Sequence, residues 1–312
     1  MKKIKVLLTL MALAWQFVLL GTEEKKLNVG ITQIIEHPSL DLARKGFETA
    51  FKDKGMLDKV NLEIKNSQGD FTTAQMIAKS FVDSKKDLIF AISTPSSQTA
   101  FNATKEIPIV ITAVTDPVAA GLTGKNITGT TDPMPIADQV ALIKEVLPNV
   151  KTIGLIYNTS EQNSVVSIGN IKAECDKAGL KYVETGVTSV NDIVPAMGNL
   201  LSKVDLVFLT TDNLISSSAT LVIELANKKN IPVLAGDAEH IPLGALMTKT
   251  IDFYQIGYRA GEMAVEILNG KNPSDLPIEP PKENQVIVNK KIAEKYKVDL
   301  SMDIFKNAKI LE

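Results

Sequence analysis

The chain is poor in the side chains that most enzyme chemistry needs. Only one of its 312 residues is cysteine, Cys175. It can form neither an internal disulfide nor a cysteine-based zinc site. Cys175 falls in a helical pattern over residues 168–178, where a small apolar residue packs. Histidine occurs twice, as His37 and His240, and neither has a second ligand at metal spacing. A zinc or haem enzyme is therefore not expected, and no cofactor is. Arginine also occurs twice, as Arg44 and Arg259, both inside helical patterns. That argues against a bidentate arginine clamp on a carboxylate or phosphate. The net charge is only −2 and no basic stripe interleaves with aromatics, so nucleic acid is not an expected partner. The phosphate-loop, dinucleotide and nucleophile-elbow motifs are missing, and Gly121, Gly124 and Gly129 lack phosphate-binding spacing.

What is present begins with a leader. Lys2, Lys3 and Lys5 precede an apolar run over residues 6–20, interrupted by Gln16. The run has the length of a signal-peptide core and is short for a membrane span. Residues 1–22 are read as a signal segment, and the mature chain is expected outside the cytoplasmic membrane, periplasmic or associated with the cell surface. Leu19-Leu20-Gly21 resembles the start of a lipobox. Thr22 stands where the lipidated cysteine would follow, and threonine cannot form the acyl thioether.

Beyond the leader, strand-like and helix-like stretches alternate. Residues 27–35, 60–64, 88–92 and 107–114 read as strands; 39–54 and 72–84 read as helices, the first followed by Gly55 at a left-handed cap. This rhythm implies an open parallel sheet covered on both faces. It then recurs. Asn28-Val29-Gly30-Ile31-Thr32 echoes Thr152-Ile153-Gly154-Leu155-Ile156. Asp87-Leu88-Ile89-Phe90 echoes Asp205-Leu206-Val207-Phe208. Ile107-Pro108-Ile109-Val110 echoes Ile231-Pro232-Val233-Leu234. Three echoes in one order, at a near-constant offset, indicate one sheet design used twice.

Two such lobes enclose a cleft, and ligands of open parallel sheets bind beyond the carboxyl ends of the strands. The polar residues there are Thr32, Gln33, Ser67, Thr94, Ser96, Ser97, Thr115 and Asp116 in the first half. In the second half they are Tyr157, Glu161, Asn163, Ser164, Asp212, Asn213 and Asp237. The turn Ser93-Thr94-Pro95-Ser96-Ser97 leads into a helix, so its hydroxyls and free N–H groups suit a compact anion such as a carboxylate, though they suit plain helix capping too. Asp116, Glu161, Asp212 and Asp237 are candidates for a ligand ammonium, because a buried cation requires a partner. Donors on one wall and an acid on the other would recognise a zwitterionic amino acid. No nucleophile and base stand in a recognisable pair, so binding rather than catalysis is expected.

The chain resembles the ABC transporter substrate-binding, or TrpX-like, group of type I periplasmic binding proteins. The resemblance rests on Gly30-Ile31-Thr32-Gln33 with His37-Pro38-Ser39-Leu40-Asp41, on Asn66-Ser67-Gln68-Gly69-Asp70, on Val114-Thr115-Asp116-Pro117-Val118, on Tyr157-Asn158-Thr159-Ser160-Glu161-Gln162-Asn163-Ser164, on Thr211-Asp212-Asn213 and on Tyr254-Gln255-Ile256-Gly257. It implies two Rossmann-like lobes joined by a three-strand hinge, with residues 27–130 plus 250–280 forming one lobe and 131–249 plus 281–312 the other. It also implies a monomer that delivers an aromatic or large apolar L-amino acid to a permease and its ATPase. A sugar or nucleoside binder on the same fold, or a ligand-sensing domain, is the alternative.

Overall fold

The computed structural model describes residues 25–312, so the signal reading of residues 1–22 lies outside it. The first sheet joins β1 (Leu27–Gln33), β2 (Val60–Asn66), β3 (Leu88–Ile92), β4 (Ile109–Val114) and β5 (Ile127–Thr131), all parallel, in the order β2-β1-β3-β4-β5. The second contains β6 (Thr152–Asn158), β7 (Lys181–Val187), β8 (Leu206–Phe208), β9 (Val233–Leu234), β10 (Met247–Thr250), β11 (Gln285–Asn289) and β12 (Lys309–Leu311). Its order is β12-β11-β10-β9-β8-β6-β7. Only the β10–β11 pair is antiparallel among those described. β11 enters from the opposite lobe and so runs against its neighbour.

The sequence echoes have a structural meaning. β1 and β6, β3 and β8, and β4 and β9 occupy equivalent places in the two sheet orders. Even the flanking acids are equivalent. Asp87 accepts the Asn28 N–H at 2.6 Å, and Asp205 accepts those of Lys151 and Thr152 at 2.9 Å. Each acid pins the entry of the neighbouring central strand. β3 and β4 are buried throughout, which explains their unbroken apolar runs.

Helices cover both sheets. In the first half they are α1 (Pro38–Asp53), α2 (Phe71–Asp83) and α3 (Thr94–Ala103). The second half contributes α4 (Ile136–Val146), α5 (Gln162–Ala178), α6 (Val190–Leu200), the short α7 (Asn213–Ser217) and α8 (Ala219–Lys228). After β10 the chain returns to the first sheet as α9 (Phe253–Leu268), and α10 (Lys290–Lys295) follows β11. The buried face of α9, Ile256, Ala260, Met263, Ala264 and Ile267, shares one core with Val29, Ile31, Leu88 and Phe90. There Phe47 of α1 stacks on Phe90 with ring centroids 3.8 Å apart.

Glycine lets α9 lie directly on α1. A Cβ on Gly257 would stand 1.9 Å from the Ala43 carbonyl oxygen, and one on Gly46 would stand 2.1 Å from that of Tyr254. The backbones touch, so no side chain fits between them.

The chain passes between the sheets three times: after β5, between β10 and α9, and from Glu279 into β11. Two of the crossings are tied together. Thr131 donates its N–H to Glu279 O at 3.0 Å, and Glu279 donates to Gly129 O at 2.9 Å. Arg259 of α9 forks onto the Glu279 carboxylate at 2.9 and 2.8 Å. One of the two arginines is thus an anchor for the hinge. The other, Arg44, faces Asp41 at 3.4 Å.

The α1–α9 contact makes a direct prediction. Gly257→Ala should destabilise the protein by about 2–3 kcal/mol in chemical denaturation, because a backbone contact cannot yield as a side chain would. Gly169→Ala, on the exposed face of α5 with nothing within 4 Å, should be neutral or gain up to about 1 kcal/mol. Equal stability of Gly257→Ala and the native protein would contradict the packing described.

Candidate functional site

The carboxyl ends of the two sheets face each other, and their loops touch. His37 Nε2 lies 3.4 Å from Asn213 Oδ1, and Ser39 Oγ donates to Asp237 Oδ2 at 2.8 Å. Thr115 and Thr211 approach to 3.5 Å. Each contact joins the first lobe to the second, so the cleft is closed.

The polar residues at these ends are buried, and many lack partners among the described residues. On the first lobe these atoms are Thr32 Oγ1, Gln33 Oε1, Ser67 Oγ, Ser93 Oγ, Thr94 Oγ1 and Ser96 Oγ. Opposite them are Asn163 Oδ1, Ser164 Oγ, Thr210 Oγ1 and Asp237 Oδ1, and Asp132 Oδ1 lies just past β5 where the chain leaves the first sheet. The Nδ1 atoms of His37 and His240 are unpartnered as well. A buried polar atom without a partner costs about 1–3 kcal/mol. Such atoms are rare singly, and so many in one cleft mark the surface that a polar ligand satisfies.

The first lobe presents mainly hydroxyl donors. Ser93 and Thr94 sit at the turn from β3 into α3, where the first helical N–H groups have no intrahelical acceptor. Ser93 has φ 81° and ψ 161°, a region that side chains other than hydrogen rarely adopt. Its neighbours hold it there: Ser93 N–H donates to Thr112 O at 2.9 Å, and its carbonyl accepts from Ser97 N at 3.0 Å and Ser97 Oγ at 2.7 Å. The Ser97 proton is therefore used within the turn, while Ser96 and Thr94 keep theirs. Gln33 is similarly divided, with Nε2 bonded to Ile35 O and Asp41 Oδ1 at 2.9 Å and Oε1 unpartnered.

The second lobe presents acids, and the structure separates their roles. Asp212 is fully buried but both of its oxygens are in use. Oδ1 accepts the Ile215 N–H at 2.9 Å, capping α7, and Oδ2 accepts the Asn158 N–H at 2.5 Å. Glu161 receives Asn158 Nδ2 at 3.0 Å, Asn163 Nδ2 at 3.4 Å and the side-chain amide of Asn213. These two acids bind the loops of their own lobe together. Burial, with the Glu161 charge beside it, holds Asp212 above the usual carboxylate range. Asn163 spends its amide on Glu161 and on Thr211 O at 3.0 Å, leaving its carbonyl oxygen. Ser164 is fully buried at the start of α5, and Tyr157 is half-buried against the second-lobe core. Asp116 is half-buried and accepts the Ala119 N–H of its own turn at 2.9 Å.

Asp237 differs. It is 1% exposed, with Oδ2 bonded and Oδ1 unpartnered. Burial raises its pKa. Asp132, just past β5, also has an unpartnered oxygen and is pushed up to about 8, first by burial and further by the Asp237 charge, with the Thr115 hydroxyl opposing. Burial disfavours ionisation of both acids, and the Asp237 charge disfavours that of Asp132 further, so a cation placed beside them would relieve the cost. His240 is pushed down to about 4 by burial and is neutral at pH 7, so it supplies no counter-charge. His37 is lowered for the same reason.

Sequence reasoning missed Ser39, His37, Asp132 and Thr210 as cleft residues. His37 and Ser39 begin α1 and looked like the start of an ordinary helix. Asp132 follows a strand that reads as a loop in sequence. No local pattern distinguishes these residues from turn formers. Cys175 is buried, with its thiol pushed up to about 11, and packs in the second-lobe core.

Two covered sheets, three crossings and a closed, polar cleft at the strand ends define a type I two-lobe solute-binding protein. The family of ABC transporter substrate binding proteins matches residues 28–311, and the chain belongs to that family. A tyrosine-binding protein of Clostridioides difficile is 44% identical over 274 residues, 85% of this chain and 79% of that protein. An ABC domain from Streptococcus pneumoniae in complex with L-Trp superposes with a TM-score of 0.89 at 33% identity, covering 92% of this chain and all of that one. The ligand-free, open structure of a substrate binding protein with adhesive properties from Clostridium difficile is 41% identical, covering 92% and 99%. Its TM-score is only 0.68. The more identical chain is the less similar in shape. The lobes described here are therefore arranged as in the L-Trp complex, in agreement with the contacts across the cleft.

The strained turn is testable on its own. Ser93→Gly removes a Cβ from a glycine-favouring conformation and should raise the thermal midpoint by roughly 2–4 °C, corresponding to about 1 kcal/mol. Ser93→Ala keeps the strain and should not. A Ser93→Gly midpoint several degrees below native would contradict the strain.

Proposed function

We propose that the protein captures an aromatic L-amino acid outside the cytoplasm and delivers it unchanged to an ABC permease and its ATPase. The observation that carries the reading is where the unpartnered buried atoms stand: a cluster of hydroxyls around the α3 N-terminus on the first lobe, and the free carboxylate oxygen of Asp237 on the second. A carboxylate fits the first and an ammonium the second, and a zwitterion satisfies both at once. Thr94 and Ser96, with Ser93, bind the ligand carboxylate, aided by the helix N-terminus. Asp237 takes the ammonium through Oδ1, with Asp132 close by. Gln33, Ser67, Thr115, Tyr157, Asn163, Ser164 and Asn213 complete the walls, while Glu161, Asp212 and Ser97 hold the loops.

The aromatic side chain is supported by the tyrosine-binding relative and by the L-Trp-bound neighbour. Capture occurs by closure of residues 27–130 plus 250–280 against residues 131–249 plus 281–312, as a monomer. No described helix is long and apolar enough to cross a membrane. Export depends on the leader at residues 1–22, and Thr22 leaves no thiol for lipidation.

Titration calorimetry with L-tyrosine, L-tryptophan, glucose and adenosine tests the reading. One of the aromatic amino acids should bind with a dissociation constant of about 1 μM or below, about −8 kcal/mol or stronger. Asp237→Asn should lose about 2–5 kcal/mol of that, because a buried ammonium would lack its partner. Asp116→Asn should stay near native. Binding of glucose or adenosine, but of neither amino acid, would overturn the proposal.

A further inference from the structure

We infer that Ser39 of the first lobe is a positioning residue that completes the ammonium-binding acid of the second lobe when the lobes close. The inference rests on the reading above that Asp237 takes the ligand ammonium.

Ser39 is fully buried at the start of α1, and Asp237 lies just beyond β9. A carboxylate can rotate, and which oxygen meets the ligand depends on what holds the other. Oδ2 of Asp237 receives the Ser39 hydroxyl at 2.8 Å and, on its own lobe, the Ser216 hydroxyl at a longer 3.4 Å. His240 Nε2 is 3.9 Å from the same oxygen and neutral at pH 7. Ser39 therefore makes the one short bond that fixes the carboxylate and leaves Oδ1 for the ligand. The bond joins residues 198 apart in the chain, on opposite lobes. It spans the seam between the lobes, so opening that seam would break it.

The proton count agrees. Ser39 has a single hydroxyl proton, yet Glu239 Oε2 also lies 3.3 Å from its oxygen. Glu239 is pushed up to about 7, mainly by burial and then by the Asp237 charge. A protonated Glu239 can donate to Ser39, which frees the serine proton for Asp237. The three side chains then form a directed chain ending at the ligand acid. His37, two residues before Ser39, meets Asn213 at the same seam and sets α1 against the second lobe.

A double-mutant cycle on the full chain separates positioning from packing, with L-tyrosine and L-tryptophan as probes in calorimetry. Ser39→Ala should weaken the bound amino acid about tenfold, the scale of a lost hydrogen bond to a charged group. On an Asp237→Asn background the same change should cost less than about twofold, because coupled residues do not add. Ser39→Thr should recover most of the affinity, since it restores a hydroxyl. Circular dichroism confirms that each variant is folded. An equal loss with and without Asp237, or no loss at all, would overturn the inference while leaving the amino-acid reading intact. If neither amino acid binds the native protein, both fall together.

Discussion

A polar atom taken from water must find another partner, and this requirement governs the molecule. The cleft buries hydroxyls, amide oxygens and carboxylates that the described protein leaves unsatisfied. At about 1–3 kcal/mol each, even a few of them match the 5–15 kcal/mol by which a typical domain is stable. Lobe closure therefore needs a ligand that supplies the missing bonds. Affinity and closure are two views of one exchange, in which the ligand favours the closed state because only there do both walls reach it.

The scaffold is built to make that exchange possible. Parallel sheets put every strand end, and so every loop that carries a site residue, on one side of each lobe. Using the design twice turns both sides inward. The crossings then allow one lobe to turn against the other without losing either core. α9 belongs by chain order to the end of the second lobe, yet Gly257, Gly46 and Gly261 seat it on α1, and Arg259 ties it to the Glu279 crossing. The Glu279 crossing is thus fixed to the first lobe by packing and an ion pair.

Much of this is legible in the residues alone. The apolar runs at 88–92 and 107–114 betray strands covered on both faces. The three echoes mark the strands that take the same places in both sheets. The helical pattern that contains Arg259 is α9, which packs into the core of the first sheet. The site is less legible. Four acids at strand ends look equivalent in sequence, but Asp212 and Glu161 are consumed by backbone and amide donors and Asp116 by its turn, while Asp237 keeps an oxygen. Which oxygen stays unpartnered depends on groups far apart in the chain, such as Ser39, and no local spacing encodes that. Thr94 and Ser96 were legible as candidates because a strand–turn–helix start is local. The strain at Ser93 was not, since backbone angles have no signature in a serine.

The account stands on closure being driven by the ligand. Small-angle scattering of the native protein, with and without saturating L-tyrosine or L-tryptophan, measures this most directly. The account predicts a larger radius of gyration for the free protein and a fall, on binding, to the value calculated for the closed arrangement described here. A free protein already at that value and unchanged at saturation would contradict it.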